Sequence, residues 1–255
     1  MIRYDEYELI MDDDFIDEKI NSDYWLECYL PQWSSRKNSA PYYSIKDSVL
    51  KLYIDKNQKP WCPDWNEDIK VSNIQTGVFS GPLGSEIGQH HFTKGLVVRE
   101  EQKREMKVTP KYGYIEFRAR CNISKENVAA LWLIGTETVP EESAEICLFE
   151  LLGCNVGNYK SKIGYGVHPF GDSTIKDCFY EEELDVKVDE WNTYSLDWRP
   201  DKIRFFLNGR LINTIDQVPK YPMQLMLNLY DLENKGNEKN SFEIDYVKVY
   251  QLKNQ

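Results

Sequence analysis

The sequence predicts an all-β chain folded as two packed antiparallel sheets, and three observations carry that prediction. Short segments with period-two alternation of apolar and polar residues recur along the chain. Turn chemistry separates them, most clearly at Asn208-Gly209. No stretch of 12 or more residues keeps a helical period, and IMDDDFIDEKI near the start is ambiguous. Many short strands joined by turns are stable when two sheets bury their apolar faces against each other.

The segments support this in order. SVLKLYI (48–54) and YGYIEFRAR (112–120) alternate cleanly; in the second, Ile115, Phe117 and Ala119 point one way and Tyr114, Glu116, Arg118 and Arg120 the other. In 192–211, Tyr194, Leu196 and Trp198 alternate, Arg-Pro-Asp-Lys turns the chain, and Ile203, Phe205 and Leu207 alternate again before Asn208-Gly209. This is a meander. MQLMLNLYD (223–231) sets Leu225, Leu227 and Leu229 against Gln224, Met226, Asn228 and Tyr230, and FEIDYVKVYQL (242–252) closes the series. No repeat, low-complexity segment or linker interrupts 1–255, so a single domain is expected.

The stretch AEICLFELLG (144–153) decides the chemistry. On a helix, residues five apart diverge by about 140°, so Glu145 and Glu150 would share no substrate. On a strand with one bulged residue near Leu148 or Phe149, Glu145, Cys147 and Glu150 share the outward face while Ile146 and Leu148 point in. Local propensity does not separate the two readings, because Glu, Ala and Leu favour helix and Gly153 could stop one. The surrounding strands favour the bulged strand. The two Cα atoms then lie roughly 13 Å apart, a gap that curvature and two long side chains can narrow. At the roughly 5–5.5 Å of a retaining glycosidase pair, like-charge repulsion of about 3 kcal/mol lifts one pKa by about two units.

Composition bounds the partner. Thirty-one basic against 42 acidic residues give a net charge of −11 with no basic block, which opposes a nucleic-acid or anionic-membrane partner. A neutral polymer meets no repulsion, and 17 Tyr with 7 Trp supply flat rings suited to stacking on sugars. No run of 18 apolar residues suggests membrane insertion, and MIRYDEYELIMDDDF carries no export signal. The six cysteines (28, 62, 121, 147, 154, 178) lack metal-type spacing and are expected mostly as reduced thiols, with a bridge left open by the sequence. Segment 61–95, with Trp61, Trp65, His90 and His91, reads as a packed turn region or as a cleft wall.

Seven segments in order resemble one family, the family 16 glycoside hydrolases that include laminarinases and lichenases. They are DDFIDEKINSDYW (13–25), YGYIEFRAR (112–120), ALWLIG (130–135), EICLFELLG (145–153), EWNTYSLDWRPDKIRFFLNG (190–209), LMLNLYD (225–231) and IDYVKVYQ (244–251). The fourth is similar to the family's Glu-x-Asp-x-x-Glu signature, with Cys147 in place of Asp. The resemblance implies a β-jelly-roll of two curved antiparallel sheets with a concave cleft. It implies Glu145 as nucleophile and Glu150 as general acid/base, with Glu116, Arg118, Trp132, Asn228 and Tyr230 lining the cleft. His168 in YGVHPF resembles a cleft histidine of the laminarinase branch, and Asp245 falls where relatives place a ligand of a structural calcium. A lone Asp is far short of the six or more oxygens that calcium takes.

The expected activity is retaining endo-hydrolysis of a β-linked polysaccharide by a monomer requiring no cofactor, with β-1,3 or β-1,3-1,4 glucan foremost and a related galactan also open. Transglycosylation at the same site, and a polysaccharide-binding protein weakened by Cys147, are the alternatives. A thiol is a weak donor and usually neutral, so Cys147 changes how the pair is protonated. Attack by Cys147 itself is disfavoured, because no His lies near it in sequence. The resemblance implies an extracellular setting, whereas the absent signal and reduced thiols suggest the cytoplasm.

Overall fold

In the computed structural model, which describes residues 4–233, 236–237 and 239–253, the strands run β1 (Tyr7–Asp13), β2 (Tyr42–Lys46), β3 (Val49–Tyr53), β4 (Lys70–Gln75), β5 (Gly77–Val78), β6 (Glu105–Met106), β7 (Gly113–Asn122) and β8 (Asn127–Gly135). They continue as β9 (Glu145–Leu152), β10 (Ser161–His168), β11 (Cys178–Leu184), β12 (Asn192–Trp198), β13 (Ile203–Leu207), β14 (Arg210–Ile215), β15 (Met223–Asp231) and β16 (Ser241–Leu252). The larger sheet has the order β14-β13-β12-β7-β16-β3-β2, with β1 also paired to β16, and the smaller has β11-β10-β9-β8-β15-β4. All pairings in both are antiparallel. β5 and β6 form a separate ribbon.

Alternation builds the core between these sheets. Ile115, Phe117 and Ala119 of β7, Leu225, Leu227 and Leu229 of β15, and Ile146, Phe149 and Leu151 of β9 meet in one buried cluster. Phe149 packs on Tyr194 and Phe242 with ring centroids 4.4 and 5.8 Å apart, bridging the two layers. The expected meander forms: Leu207 pairs with Arg210 across Asn208 and Gly209, whose φ values of 50° and 75° both fit a type I′ turn. Asp197 joins β1, β12 and β13 by accepting from Tyr7 Oη at 2.6 Å, from Arg199 Nε at 2.9 Å and from Arg204 Nη2.

A second apolar cluster covers part of the smaller sheet's outer face. Tyr29, Trp33, Trp61 and Leu96 from the long connections pack over Ala130, Trp132, Cys147 and Met226. These loops close the β4–β15–β8 side, and the pocket opens beside β9 and β10. Trp61 is buried and its Nε1 donates to Asn66 Oδ1 at 2.8 Å, so this indole serves packing.

The structure corrects two expected cleft residues. Glu116 and Arg118 do point out of the core, but β7 lies in the larger sheet, between β12 and β16. They therefore occupy the opposite outer face of the sandwich from Glu145 and Glu150. Glu116 accepts from Tyr114 Oη at 2.7 Å and from Tyr246 Oη at 2.9 Å. Arg118 Nη1 donates to Asp245 Oδ2 at 2.6 Å and its guanidinium lies over the Trp191 ring.

Asp245 is the residue at which β16 shifts register against β7, between Ile244 and Tyr246. The extra residue lets Ile244 and Val247 both face the core although they are three apart. A guanidinium already neutralises the Asp245 carboxylate, and among the described residues no group of three or more His, Cys, Asp and Glu side chains could hold a metal. This donor set does not fit calcium.

Candidate active site

β9 carries the two carboxylates by a bulge. Trp132 pairs with Cys147 and Leu131 with Phe149, so Leu148 is the extra residue. Leu148 and Phe149 both enter the core, and Glu145, Cys147 and Glu150 face outward as the bulged reading requires. Glu145 and Glu150 line one pocket of about 370 Å³ with His168, Pro169 and Phe170. Cys147, 1% exposed, sits beneath it in the loop-covered cluster.

Glycines on β10 make room beside the pair. Gly164 is opposite Glu150 and Gly166 opposite Cys147. A Cβ at Gly164 would lie 2.7 Å from the Phe179 ring and 3.2 Å from Glu150 Cβ, and one at Gly166 would lie 2.3 Å from the Cys178 carbonyl oxygen. Gly166 also has φ +147°, a conformation that side chains rarely adopt. His168 follows opposite Glu145. Its ring stacks on Phe179 at 4.7 Å, and Nδ1 lies 3.1 Å from Asp177 Oδ1, which leaves Nε2 as the other polar corner of the ring.

Burial sets the protonation of the pair. It pushes the Glu145 carboxyl up to about 8, with the Glu150 charge adding to the effect. Glu150 is also raised, first by burial and then by the Glu181 charge. Desolvation thus outweighs the mutual repulsion expected from the spacing. The Cys147 thiol is driven well above 9 by burial and by both glutamates, which keeps it neutral and opposes a thiolate nucleophile.

Trp132, Asn228 and Tyr230 lie on the same outer face as the pair, on the two strands beyond β9. Trp132 Nε1 donates to the fully buried Asn228 Oδ1 at 2.5 Å, fixing the indole edge. Tyr230 Oη donates to Tyr29 Oη at 2.8 Å. Trp132 and Asn228 are therefore floor beneath the covering loops, and Tyr230, half-buried, lies closer to solvent.

Sequence reasoning missed Phe170, Phe179 and Asp177, and it left His90 among unassigned loop residues. Phe170 follows His168 in YGVHPF, but its place in the wall depends on a left-handed backbone, φ 44°, that composition does not announce. His90 is buried, with its ring 5.0 Å from Trp132 and 4.7 Å from Phe170. Burial lowers its pKa to about 4, so the imidazole is neutral at neutral pH.

Comparison with known proteins agrees with this geometry. Residues 96–248 match the family model described as glycosyl hydrolases family 16. Glucan endo-1,3-beta-glucosidase A1 of Niallia circulans is 24% identical over 239 residues, covering 84% of this chain and 34% of that protein. The chain spans about a third of the length of the curated relatives it matches. Among solved structures, the GlcNAcα1-4Gal-releasing endo-β-galactosidase of Clostridium perfringens superposes with a TM-score of 0.83 at 23% identity, over 99% of this chain and 65% of that one. The catalytic domain of an endo-1,3-beta-glucanase (laminarinase) of Thermotoga petrophila gives 0.64 at 18% identity, over 97% and 99%. The two-sheet architecture is that of these neighbours, a β-jelly-roll sandwich. With a family model matched over more than half its length, the chain belongs to glycosyl hydrolases family 16.

Proposed function

We propose that this chain is a retaining, endo-acting hydrolase of a β-linked polysaccharide. The observation that carries the reading is the bulge at Leu148, which sets Glu145 and Glu150 on one face of one strand and at the wall of one pocket. In the first step the ionised Glu145 attacks the anomeric carbon, the glycosidic C–O bond breaks, and Glu150 gives its proton to the departing oxygen. In the second, water attacks that carbon, Glu150 takes the water proton, and the ester bond to Glu145 breaks. No step calls for a metal or an organic cofactor.

The sequence favours a β-1,3 or β-1,3-1,4 glucan. The higher TM-score to an endo-β-galactosidase supports a second reading, a glycan cleaved at a β-galactoside. Transglycosylation would use the same two carboxylates with a sugar hydroxyl in place of water. The polysaccharide-binding reading draws support from Glu145, whose pKa of about 8 leaves it largely protonated at pH 7 in the free site.

Product sizing on laminarin, mixed-linkage β-glucan, xyloglucan, agarose, carrageenan and a poly-N-acetyllactosamine tests the reading, with Glu145→Gln in parallel and NMR of the first-formed anomer. Oligosaccharides of retained configuration, lost in the variant, are expected from one polymer. Inverted products, or cleavage unaffected by Glu145→Gln, would refute the mechanism. Retained binding without cleavage on every polymer would leave the binding protein.

A further inference from the structure

β10 carries no side chain where it passes between Glu150 and the edge of the smaller sheet. Gly164 pairs with Glu150 of β9 on one side and with Glu181 of β11 on the other, so the three stand in one line across the outer face. The Phe179 ring fills the space above the glycine, 2.7 Å from where a Cβ would stand. An apolar ring there displaces water, and a charge acts more strongly across such a gap than through solvent. Glu181 is anchored at its end of the line. Lys162 Nζ donates to its Oε2 at 2.9 Å and Asn155 Nδ2 to its Oε1 at 3.2 Å. The Lys162 bond holds the Glu181 carboxyl below its ordinary range, which keeps it an anion.

The other groups around Glu150 are neutral, matched, or part of the reacting pair. On β9, Cys147 is a neutral thiol and Glu145 shares the reacting proton. On β15, burial keeps the Tyr230 hydroxyl un-ionised, and β8 sets Ala130 opposite Glu150. On β10, His168 Nδ1 lies 3.1 Å from Asp177 Oδ1. Beyond Glu181 on β11, Glu183 faces Lys160 at 3.6 Å. Glu181 and Lys162 are thus the opposed charges beside Gly164, and Glu150 is raised first by burial and next by Glu181.

We infer that Glu181 is a positioning residue for the general acid: across the Gly164 gap its negative charge holds the proton on Glu150, and Lys162 sets how much of that charge Glu150 feels. The inference rests on the hydrolase reading for the role of Glu150. Glu181 does not line the pocket, so it acts through Glu150. The active form carries one proton, on Glu150, with Glu145 ionised, and its share of the singly protonated molecules follows the difference in proton affinity between the two. Two strand spacings put β9 and β11 about 10 Å apart, where a charge at an effective dielectric of about 20 moves a carboxyl by about one pH unit, and Lys162 cancels about half of that.

The experiment follows the Glu150 carboxyl through its titration by carbon NMR in the full chain carrying Glu145→Gln. Alongside, kcat/KM is measured against pH with Glu145 intact, on the polymer that product sizing identifies. Glu181→Gln should lower the Glu150 midpoint by about half a pH unit, move the acid limb down equally and reduce kcat/KM at its optimum about threefold. Lys162→Met should reverse the sign of all three. The Glu181 and Lys162 side chains are 37% and 46% exposed, so the fold tolerates both changes. Both substitutions break the same Lys162–Glu181 bond, so a merely structural role would shift the two variants alike. Midpoints that stay put, or that move in the same direction, overturn the inference. Hydrolysis with fixed midpoints would overturn it and leave the hydrolase standing; opposite shifts in a chain that cleaves no polymer would uphold the Glu181 field on Glu150 and refute the hydrolase.

Discussion

Replacing Glu145 by Gln should stabilise this protein, and only where the glutamate would otherwise ionise. The Glu145 carboxyl moves from an ordinary 4.5 to about 8 on folding, chiefly because burial disfavours the anion. A carboxyl raised in this way keeps its full contribution to stability below about 4.5 and loses it as the pH climbs through about 8. Taken at face value, linkage removes roughly 3 kcal/mol by pH 7. Glu145 is half-buried at an open pocket, so screening by water reduces this to about 1–2 kcal/mol. For a chain of this size each kcal/mol moves Tm by about 2–4 °C. Glu145→Gln is therefore expected to raise Tm by about 2–8 °C at pH 7 to 8 and to leave it unchanged near pH 4, followed by calorimetry across that range. An equal gain at both pH values would mean that the amide simply packs better. No gain at pH 8 would refute the buried-anion argument.

The pH dependence of kcat/KM should report the same pair. Because productive attack needs one proton shared between Glu145 and Glu150, the profile is a bell whose alkaline limb falls near 8 and whose acid limb lies above the ordinary carboxyl range; an optimum at pH 4 to 5 would contradict it. Cys147→Asp places a third carboxyl among groups that already raise one another, so the alkaline limb should move to higher pH, and a limb that stays put would remove position 147 from the pair's field. Asp197→Ala removes the buried acceptor shared by Arg199, Arg204 and Tyr7, but both arginines reach solvent and Arg199 keeps Glu6, so a cost of about 1–3 kcal/mol is expected in urea unfolding. Trp132→Phe strips the fully buried Asn228 Oδ1 of its donor, and a loss of about 1–3 kcal/mol is expected by the same assay.

What the sequence disclosed and what it withheld divide along a physical line. Alternation depends on neighbours two residues apart, so the strands, the Asn208-Gly209 hairpin and the bulge that phases Glu145 with Glu150 were all legible. It reports which side chains leave the core. It does not report which of the two outer faces they reach, because that depends on pairing between β7 and β16, more than a hundred residues later in the chain. Glu116 and Arg118 fell on the wrong face for this reason, and the same pairing accounts for Asp245. A residue expected in the cleft and one expected at a calcium site meet in one observation: Arg118 and Asp245 are each other's partner at the β16 bulge, 2.6 Å apart. The left-handed backbone of His90, Glu137 and Phe170 was hidden differently. Their positive φ values are not favoured by their own side chains, so local sequence argued against them and only the tertiary setting could hold them. Such a conflict between local preference and final structure falls here beside the catalytic pocket, whose wall includes Phe170.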